Sequence, residues 1–302
     1  MDRIYPNLFI VGAPKCGTSS LYHYLRQHPE IYMSPFKEPH FIIAEELKFI
    51  ENHKWITNQE DYFDLFNEAE TYKIRGEASS FYLYYHKTAI PGIKSIVQET
   101  PYILIILRNP VQRIISAYKH MVRTNIKETF SFEQIVRTEE ENRPINHPMM
   151  LYKAMGKYAD MVEEYQNNFK RVKVIIYEEF FQDIRKNIID VWKYLNVDPE
   201  LEINYDKKWN VKNYQWKSRS LQKLFITNNI FKKTARQIAP FLQSRYIKNK
   251  IKAMTTKSVT LNIKDESIEY LMDFYKADIQ KLSDLLDKDL SYWMISSNIR
   301  KK

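Results

Sequence analysis

The feature that most constrains this sequence is a turn bracketed by glycines near its start. The 302 residues include only five glycines, and two of them, Gly12 and Gly17, enclose four residues directly after the apolar run Leu8–Val11. Glycine lets the backbone turn tightly and approach a ligand closely. The N–H groups of Gly17, Thr18 and Ser19 would then point from a helix N-terminus toward an anion. The pattern predicts a strand, a loop that binds phosphate or sulfate, and a helix.

The spacing of the two glycines equals that of a nucleoside triphosphatase loop, but the residue types differ. Thr18 follows the second glycine where a lysine would be expected, and the lysine is Lys15, inside the loop beside Cys16. The apolar run Tyr102–Leu107 ends in Arg108, where such an enzyme would carry a metal-binding aspartate. These departures disfavour a triphosphatase, and no metal site is predicted.

Strands and helices alternate along the chain, which predicts an α/β fold with a doubly wound, mostly parallel sheet. The chain is expected to form one domain over residues 1–302, with a core at 5–200, an acceptor-side insertion near 125–147 and a basic, mainly helical extension at 201–302. The predicted strands are Leu8–Val11, Ile31–Met33, Ile74–Glu77, Tyr102–Leu107 and Val172–Ile176. The predicted helices are Thr18–Gln27, Ala89–Gln98, Pro110–Arg123, Met149–Phe169, Ile184–Leu195 and Ile268–Leu286.

Cysteine usage and the N-terminal residues bear on location. Cys16 is the single cysteine, so no intramolecular disulfide can form, which favours a reducing compartment. The apolar run Tyr5–Ala13 is too short to span a bilayer and lacks a basic leader. These features predict a soluble, cytoplasmic protein.

Positive charge is concentrated in the last third of the chain. Between Tyr205 and Ser258 there are 14 Lys or Arg residues and one acidic residue, Asp206. Such a segment attracts anions, including nucleotide phosphates, acidic glycans and lipid head groups. Apolar residues between Leu221 and Ile251 approximate a helical stripe, which suggests peripheral contact with an anionic membrane; a helix packed on the domain with its lysines in water fits equally well. Nucleic acid is not an expected partner.

A long segment at the start resembles a known enzyme family. The stretch FIVGAPKCGTSSLYHYLRQHPEIYMSPFKEPHFI is similar to the opening of sulfotransferases that use 3′-phosphoadenosine-5′-phosphosulfate (PAPS), in the branch of the heparan sulfate and bacterial carbohydrate sulfotransferases. The resemblance implies that the loop residues bind the 5′-phosphosulfate. These residues are Lys15, Cys16, Gly17, Thr18 and Ser19.

A second family motif matches LRNPVQRIISAY, and it implies that Arg108 and Ser116 hold the 3′-phosphate of PAPS. Arginine supplies a fork of donors, and Ser116, two helical turns later, adds a hydroxyl from the same side. Lys217 and Arg219 match the position where relatives close a loop over the nucleotide. The resemblance continues through Gly76–Tyr82, Tyr177–Phe180 and Asp289–Trp293.

The same resemblance implies the catalytic groups. Sulfuryl transfer needs a base for the acceptor proton and positive charge at the leaving oxygen. The family pattern implies Glu38 as the base, with His40 as its rival, and Lys15 can supply the charge. Lys37 beside Glu38 could help to neutralise the sulfonate, and Glu77 and Ser79 are expected to border the acceptor pocket. Ala78 stands where heparan-type relatives carry a lysine, so another lysine substitutes or the acceptor geometry differs.

The sequence thus predicts a PAPS-dependent sulfotransferase that acts without a metal ion on a carbohydrate or other small-molecule acceptor. One alternative is a small-molecule or nucleotide kinase on the same loop architecture. The other is a non-catalytic protein that binds polyanions through the basic third.

Overall fold

A five-stranded sheet forms the centre of the computed structural model, which describes residues 3–50, 55–124, 128–205, 215–216, 256–257 and 261–300. Its strands are β1 (Leu8–Gly12), β2 (Ile31–Met33), β3 (Ile74–Ala78), β4 (Tyr102–Leu107) and β5 (Val172–Ile176). Their order is β2-β3-β1-β4-β5, and every neighbouring pair is parallel. The α/β fold and the parallel sheet are confirmed.

The strand order creates a switch point at the centre of the sheet. From β1 the chain runs to the edge strand β2, returns through β3 beside β1, and crosses to β4 and β5 on the other side. The connections therefore diverge beside β1, and ligands of open α/β sheets bind at the carboxyl ends of strands at such a point. The glycine loop follows β1 and Arg108 follows β4, so the topology brings the two anion motifs to this edge.

Helices cover both faces of the sheet. They are α1 (Thr18–Leu25), α2 (Gln59–Asp64), α3 (His86–Ile96), α4 (Pro110–Arg123), α5 (Phe132–Arg137), α6 (Ala159–Asn168), α7 (Tyr177–Gln182), α8 (Ile184–Tyr194), α9 (Asp265–Leu286) and α10 (Ser296–Arg300). Alternate β1 residues face opposite layers: Phe9 and Val11 join the core of α3, α4, α6 and α9, whereas Leu8 and Ile10 join that of α1 and α8. Every β1 residue is buried, as is typical of a parallel sheet covered on both sides.

The predicted helix Met149–Phe169 is wrong in its first half. The structure has 3₁₀ turns at Pro148–Met150 and Ala154–Gly156, and α6 begins only at Ala159. The cause is contact with α9. A Cβ on Gly156 would lie 2.6 Å from Tyr275 Oη, and that hydroxyl donates to the Lys153 carbonyl (2.8 Å). Close packing against α9 thus favours 3₁₀ turns over a continuous helix in this segment.

The insertion, the C-terminal helix and the basic segment differ in how they match the prediction. The polar insertion contains helix α5. The predicted C-terminal helix is α9, which begins three residues earlier than predicted, at Asp265. Helix α2 and the 3₁₀ turns Phe41–Ile43 and Glu45–Leu47 were not predicted. Within the basic segment 205–258, the structure describes Tyr205 and a short antiparallel pair, β6 (Gln215–Trp216) with β7 (Thr256–Lys257). Lys217, Arg219 and the stripe between Leu221 and Ile251 lie outside the described residues.

Candidate active site

The loop after β1 is shaped by left-handed backbone and by aromatic packing. Gly17 has φ of 100°, and a Cβ there would lie 3.0 Å from the Phe181 ring and 3.1 Å from the Tyr177 ring. The Gly17 carbonyl accepts from the N–H groups of Ser20 (2.9 Å) and Leu21 (3.1 Å), which starts α1. The N–H groups just before this first turn have no acceptor within the helix, because the helix begins there. They are suited to an anion.

Lys15 supplies the positive charge of this loop. Its φ of 72° is unusual for a residue that carries a Cβ, and such backbone strain is concentrated at functional sites. Burial, together with the charges of Arg123 and Arg108, lowers the pKa of Lys15 to about 8. The ammonium group is therefore held in a place where its positive charge is costly, and a bound anion would relieve that cost.

Cys16, the next residue of the loop, points into the protein core. Its thiol is fully buried, with Sγ 3.7 Å from Tyr158 Oη, and its N–H donates to the Ala13 carbonyl (3.2 Å). Burial raises the pKa of the thiol to about 11, so it stays protonated and is a poor nucleophile. The thiol thus contacts Tyr158, and the N–H is bonded within the loop. In the free protein, neither the thiol nor the N–H of Cys16 is left without a partner for an anion.

Arg108 follows β4 and is held over an aromatic ring. Its guanidinium carbon lies 4.6 Å from the centroid of the Tyr177 ring, and its Nε and Nη2 donate to Gln112 Oε1 at 3.2 and 3.1 Å. Gln112 and Ser116 are four residues apart and lie on one side of α4, and Arg108 stands two residues before that helix begins. Gln112 and Tyr177 were not among the predicted site residues, although the four-residue spacing points to Gln112.

Glu38 lies in the extended segment before the first 3₁₀ turn, also in left-handed backbone, with φ of 62°. Its Oε2 accepts from the Ser80 N–H (2.7 Å) and Ser80 Oγ (3.0 Å), and it lies 3.1 Å from His40 Nε2. Lys37 Nζ contacts the other oxygen. Burial alone would raise the pKa of Glu38, but Lys37 and His40 together hold it well below its usual range. The carboxylate is ionised, and 27% of the side chain is exposed.

His40, the rival base, is buried in an aromatic cage. Its ring stacks on Phe81 (4.9 Å between centroids) and meets the edge of Trp55 (4.8 Å), and the residue is only 1% exposed. Its one contact toward the site is Nε2 to Glu38. The geometry suits a residue that orients Glu38 and does not suit one that meets the acceptor.

Glu77 and Ser79 lie one layer deeper. Glu77 accepts hydrogen bonds from Tyr62 Oη (2.9 Å) and Ser79 Oγ (2.7 Å), while Ser79 Oγ accepts from the His40 N–H (3.1 Å). Both residues are buried, and burial raises the pKa of Glu77 to about 7. In the free protein both side chains are covered, and Ser79 Oγ holds the backbone N–H of His40, two residues after Glu38. Ser80, which sequence reasoning missed, is the residue of this segment that donates hydrogen bonds to the Glu38 carboxylate.

The site carries a surplus of positive charge. Arg123, Arg108 and Lys37 all lower the pKa of Lys15. His120 Nδ1 lies 2.8 Å from Arg123 Nη2. Burial, Lys15 and Arg123 lower the pKa of His120 to about 3, so it is neutral. The electrostatic potential of these cations attracts a ligand with several negative charges.

The described residues contain neither a metal-binding cluster nor a membrane-spanning helix. Over residues 3–50, 55–124, 128–205 and 261–300, no three His, Cys, Asp or Glu side chains are grouped so that they could hold a metal ion. In the same part of the chain, no helix has both the length and the apolar character needed to cross a bilayer.

Comparison with known proteins gives consistent matches. The sulfotransferase domain family matches residues 5–284. Carbohydrate sulfotransferase 15 of Rattus norvegicus is 24% identical over 250 residues, covering 65% of this chain and 45% of that protein. A crystal structure of a sulfotransferase from Alicyclobacillus acidocaldarius superposes with a TM-score of 0.71 and 29% identity, covering 97% of this chain and all of that one. Heparan sulfate N-deacetylase/N-sulfotransferases also match, so the resemblance drawn from the sequence is confirmed.

A further relative corrects one expectation. The membrane-associated sulfotransferase kil1 of Dictyostelium discoideum is 29% identical over 141 residues, covering 45% of this chain and 28% of that protein. The prediction of a cytoplasmic protein is contradicted by this comparison and is withdrawn. The chain spans less than half the length of the carbohydrate sulfotransferases that it matches.

Proposed function

The chain belongs to the sulfotransferase domain family, and from that premise we propose that it transfers a sulfuryl group from PAPS to a hydroxyl or amine of a carbohydrate acceptor. The observation that most supports this is the meeting of two anion motifs, the loop after β1 and Arg108 after β4, at the switch point of the sheet. PAPS carries negative charge at both its 5′ and 3′ ends, which two separate motifs can recognise.

The nucleotide is bound by residues at two places. The N–H groups of Gly17, Thr18 and Ser19 and the Lys15 ammonium hold the 5′-phosphosulfate, as helix N-termini hold anions. Arg108 holds the 3′-phosphate with its guanidinium, and Ser116 adds a hydroxyl from the same side of α4. When bound, PAPS supplies the activated sulfur–oxygen bond.

In the transfer step, Glu38 takes the proton from the acceptor hydroxyl or amine as that group attacks sulfur. The bond between sulfur and the 5′-phosphate oxygen breaks, and Lys15 stabilises the negative charge that develops on this oxygen. Ser80 and His40 hold Glu38 in place. Lys37 pairs with Glu38 in the free protein. Negative charge on a bound sulfonate competes for Lys37, which weakens its pull on Glu38 and makes the carboxylate a stronger base.

The carbohydrate acceptor is proposed from the relatives, because carbohydrate sulfotransferase 15 matches the chain over 250 residues. The kinase alternative is disfavoured, since Arg108 follows β4 where a metal-binding carboxylate would be needed. The polyanion-binding alternative depends on the basic segment, most of which lies outside the described residues.

The proposal is tested by incubating the protein with ³⁵S-labelled PAPS and desulfated chondroitin, heparosan or host glycan extracts. We expect label in the glycan fraction, with the same rate in EDTA, because no step in the proposed chemistry uses a metal. A protein that ignores PAPS but transfers phosphate from ATP with Mg²⁺ would establish the kinase alternative.

Recognition of the 3′-phosphate is tested with two ligands in calorimetry. We expect adenosine 3′,5′-bisphosphate to bind about 10- to 150-fold more tightly than AMP, because charge-assisted hydrogen bonds to the 3′-phosphate contribute about 1.5–3 kcal/mol. In Arg108→Gln the two affinities should become nearly equal. Equal affinities in the wild type would show that Arg108 and Ser116 do not read this phosphate.

A further inference from the structure

The peptide bond between Arg108 and Asn109 is held on both of its sides by side chains distant in sequence. The Arg108 carbonyl accepts a hydrogen bond from Tyr158 Oη (3.0 Å), and the Asn109 N–H donates to Glu178 Oε1 (3.1 Å). Because a peptide group is planar, fixing its carbonyl and its N–H fixes the whole unit. The sheet holds the backbone on the other side of Arg108, where Leu107 pairs with Ile176 of β5. Together these two constraints set the direction in which the Arg108 side chain leaves the backbone.

Tyr158 is itself anchored to the C-terminal helix. It is fully buried, and its N–H donates to Asp278 Oδ2 (2.8 Å), while the next N–H, of Ala159, donates to Asp278 Oδ1 (3.2 Å). A carboxylate on α9 therefore caps the start of α6. Since Tyr158 Oη also lies 3.7 Å from Cys16 Sγ, one hydroxyl contacts both the glycine loop and the residue that follows β4.

Glu178 is anchored to the segment after α9. Its Oε2 accepts from Trp293 Nε1 (3.3 Å), and the Trp293 carbonyl accepts from Asn109 Nδ2 (2.8 Å). Trp293 is 1% exposed and lies in the 3₁₀ turn Ser291–Met294. Both sides of the 108–109 peptide thus lead to the C-terminal part of the chain.

We propose that Tyr158 and Glu178 are positioning residues for recognition of the 3′-phosphate, and that α9 and the Trp293 turn act on the nucleotide site through them. The inference rests on the proposed function, because it assigns their effect to the phosphate that Arg108 binds. The proposal distinguishes Tyr158 and Glu178 from residues that only stabilise the fold. Loss of either bond should reduce the discrimination between adenosine 3′,5′-bisphosphate and AMP, whereas loss of a purely structural bond should lower both affinities equally or neither.

The experiment measures both ligands by calorimetry on the full chain. In Tyr158→Phe, the bisphosphate should bind about fivefold more weakly while AMP binding is unchanged, as expected for one lost hydrogen bond. Glu178→Ala should reduce the same ratio. Glu178→Gln, which keeps an oxygen acceptor for the Asn109 N–H, should retain most of it.

Tyr165→Phe is the matched control. Tyr165 lies on α6, which Tyr158 directly precedes. It is also fully buried, and it donates to a backbone carbonyl, that of Tyr82, at the same distance of 3.0 Å. Its removal should lower the melting temperature about as much as Tyr158→Phe does, with the ligand ratio unchanged. A wild type that does not discriminate would overturn the proposed function and this inference together. A wild type that discriminates, with an unchanged ratio in Tyr158→Phe and Glu178→Ala, overturns this inference alone.

Discussion

Replacing Lys15 with methionine should reduce the transfer rate by about 10²–10³-fold at saturating nucleotide. The ammonium is proposed to stabilise charge that develops on the leaving oxygen, and losing one such preorganised group costs a factor of this size. Nucleotide affinity should also fall, by about 10- to 150-fold, because a charge-assisted contact is lost. Single-turnover assays with labelled PAPS, together with calorimetry, measure the two effects. Near-normal turnover would contradict the assignment of the loop.

The pH dependence of binding provides an independent check on Lys15. Only the protonated amine attracts an anion, and burial with neighbouring cations lowers the pKa of Lys15 to about 8 in the free protein. Affinity for adenosine 3′,5′-bisphosphate should therefore fall as pH rises above about 8. Lys15→Arg is the matched control, because a guanidinium keeps its charge over this range. Binding by that variant should show no decline up to pH 9.5, and an identical decline in both proteins would exclude Lys15 as the group responsible.

Replacing Glu38 with glutamine should reduce the transfer rate by about 10²–10⁴-fold and leave nucleotide affinity near its wild-type value. Glutamine is close in size to glutamate and keeps an oxygen that can accept from Ser80, so the fold is preserved while the proton acceptor is lost. Rates at saturating PAPS and acceptor, measured beside nucleotide affinity, separate these effects.

Glu45→Gln serves as the control for Glu38→Gln. Glu45 lies in the 3₁₀ turn Glu45–Leu47, and its side chain is exposed and paired with Lys48, so the same chemical change there should leave the rate unaltered. A small loss in Glu38→Gln, with a large loss in His40→Ala, would transfer the role of base to His40.

The glycine loop and the residue after β4 could be predicted from sequence because both depend on local spacing. Gly12 and Gly17 mark a turn after an apolar run, and Arg108 interrupts another apolar run at its end. Parallel strands place their carboxyl ends at one edge of the sheet, which is where both motifs lie. The prediction of a helix over Met149–Phe169 was wrong in its first half. The apolar periodicity there is also compatible with 3₁₀ turns, and contacts of Tyr275 on α9 with Lys153 and Gly156 favour those turns.

The sequence determined which chemical groups are available to this protein. It carries the lysine, arginine and glutamate of the candidate site, and their positions relative to the predicted strands and turns can be read from local patterns. Only the tertiary structure decided where each group lies and which residues surround it. His40 is buried against Phe81, and Glu77 is covered below Glu38. Tyr158 meets Arg108 across 50 positions of sequence. Burial and hydrogen-bond partners at such separations follow from which strands and helices become neighbours, and this order is a property of the packed chain that no local pattern contains.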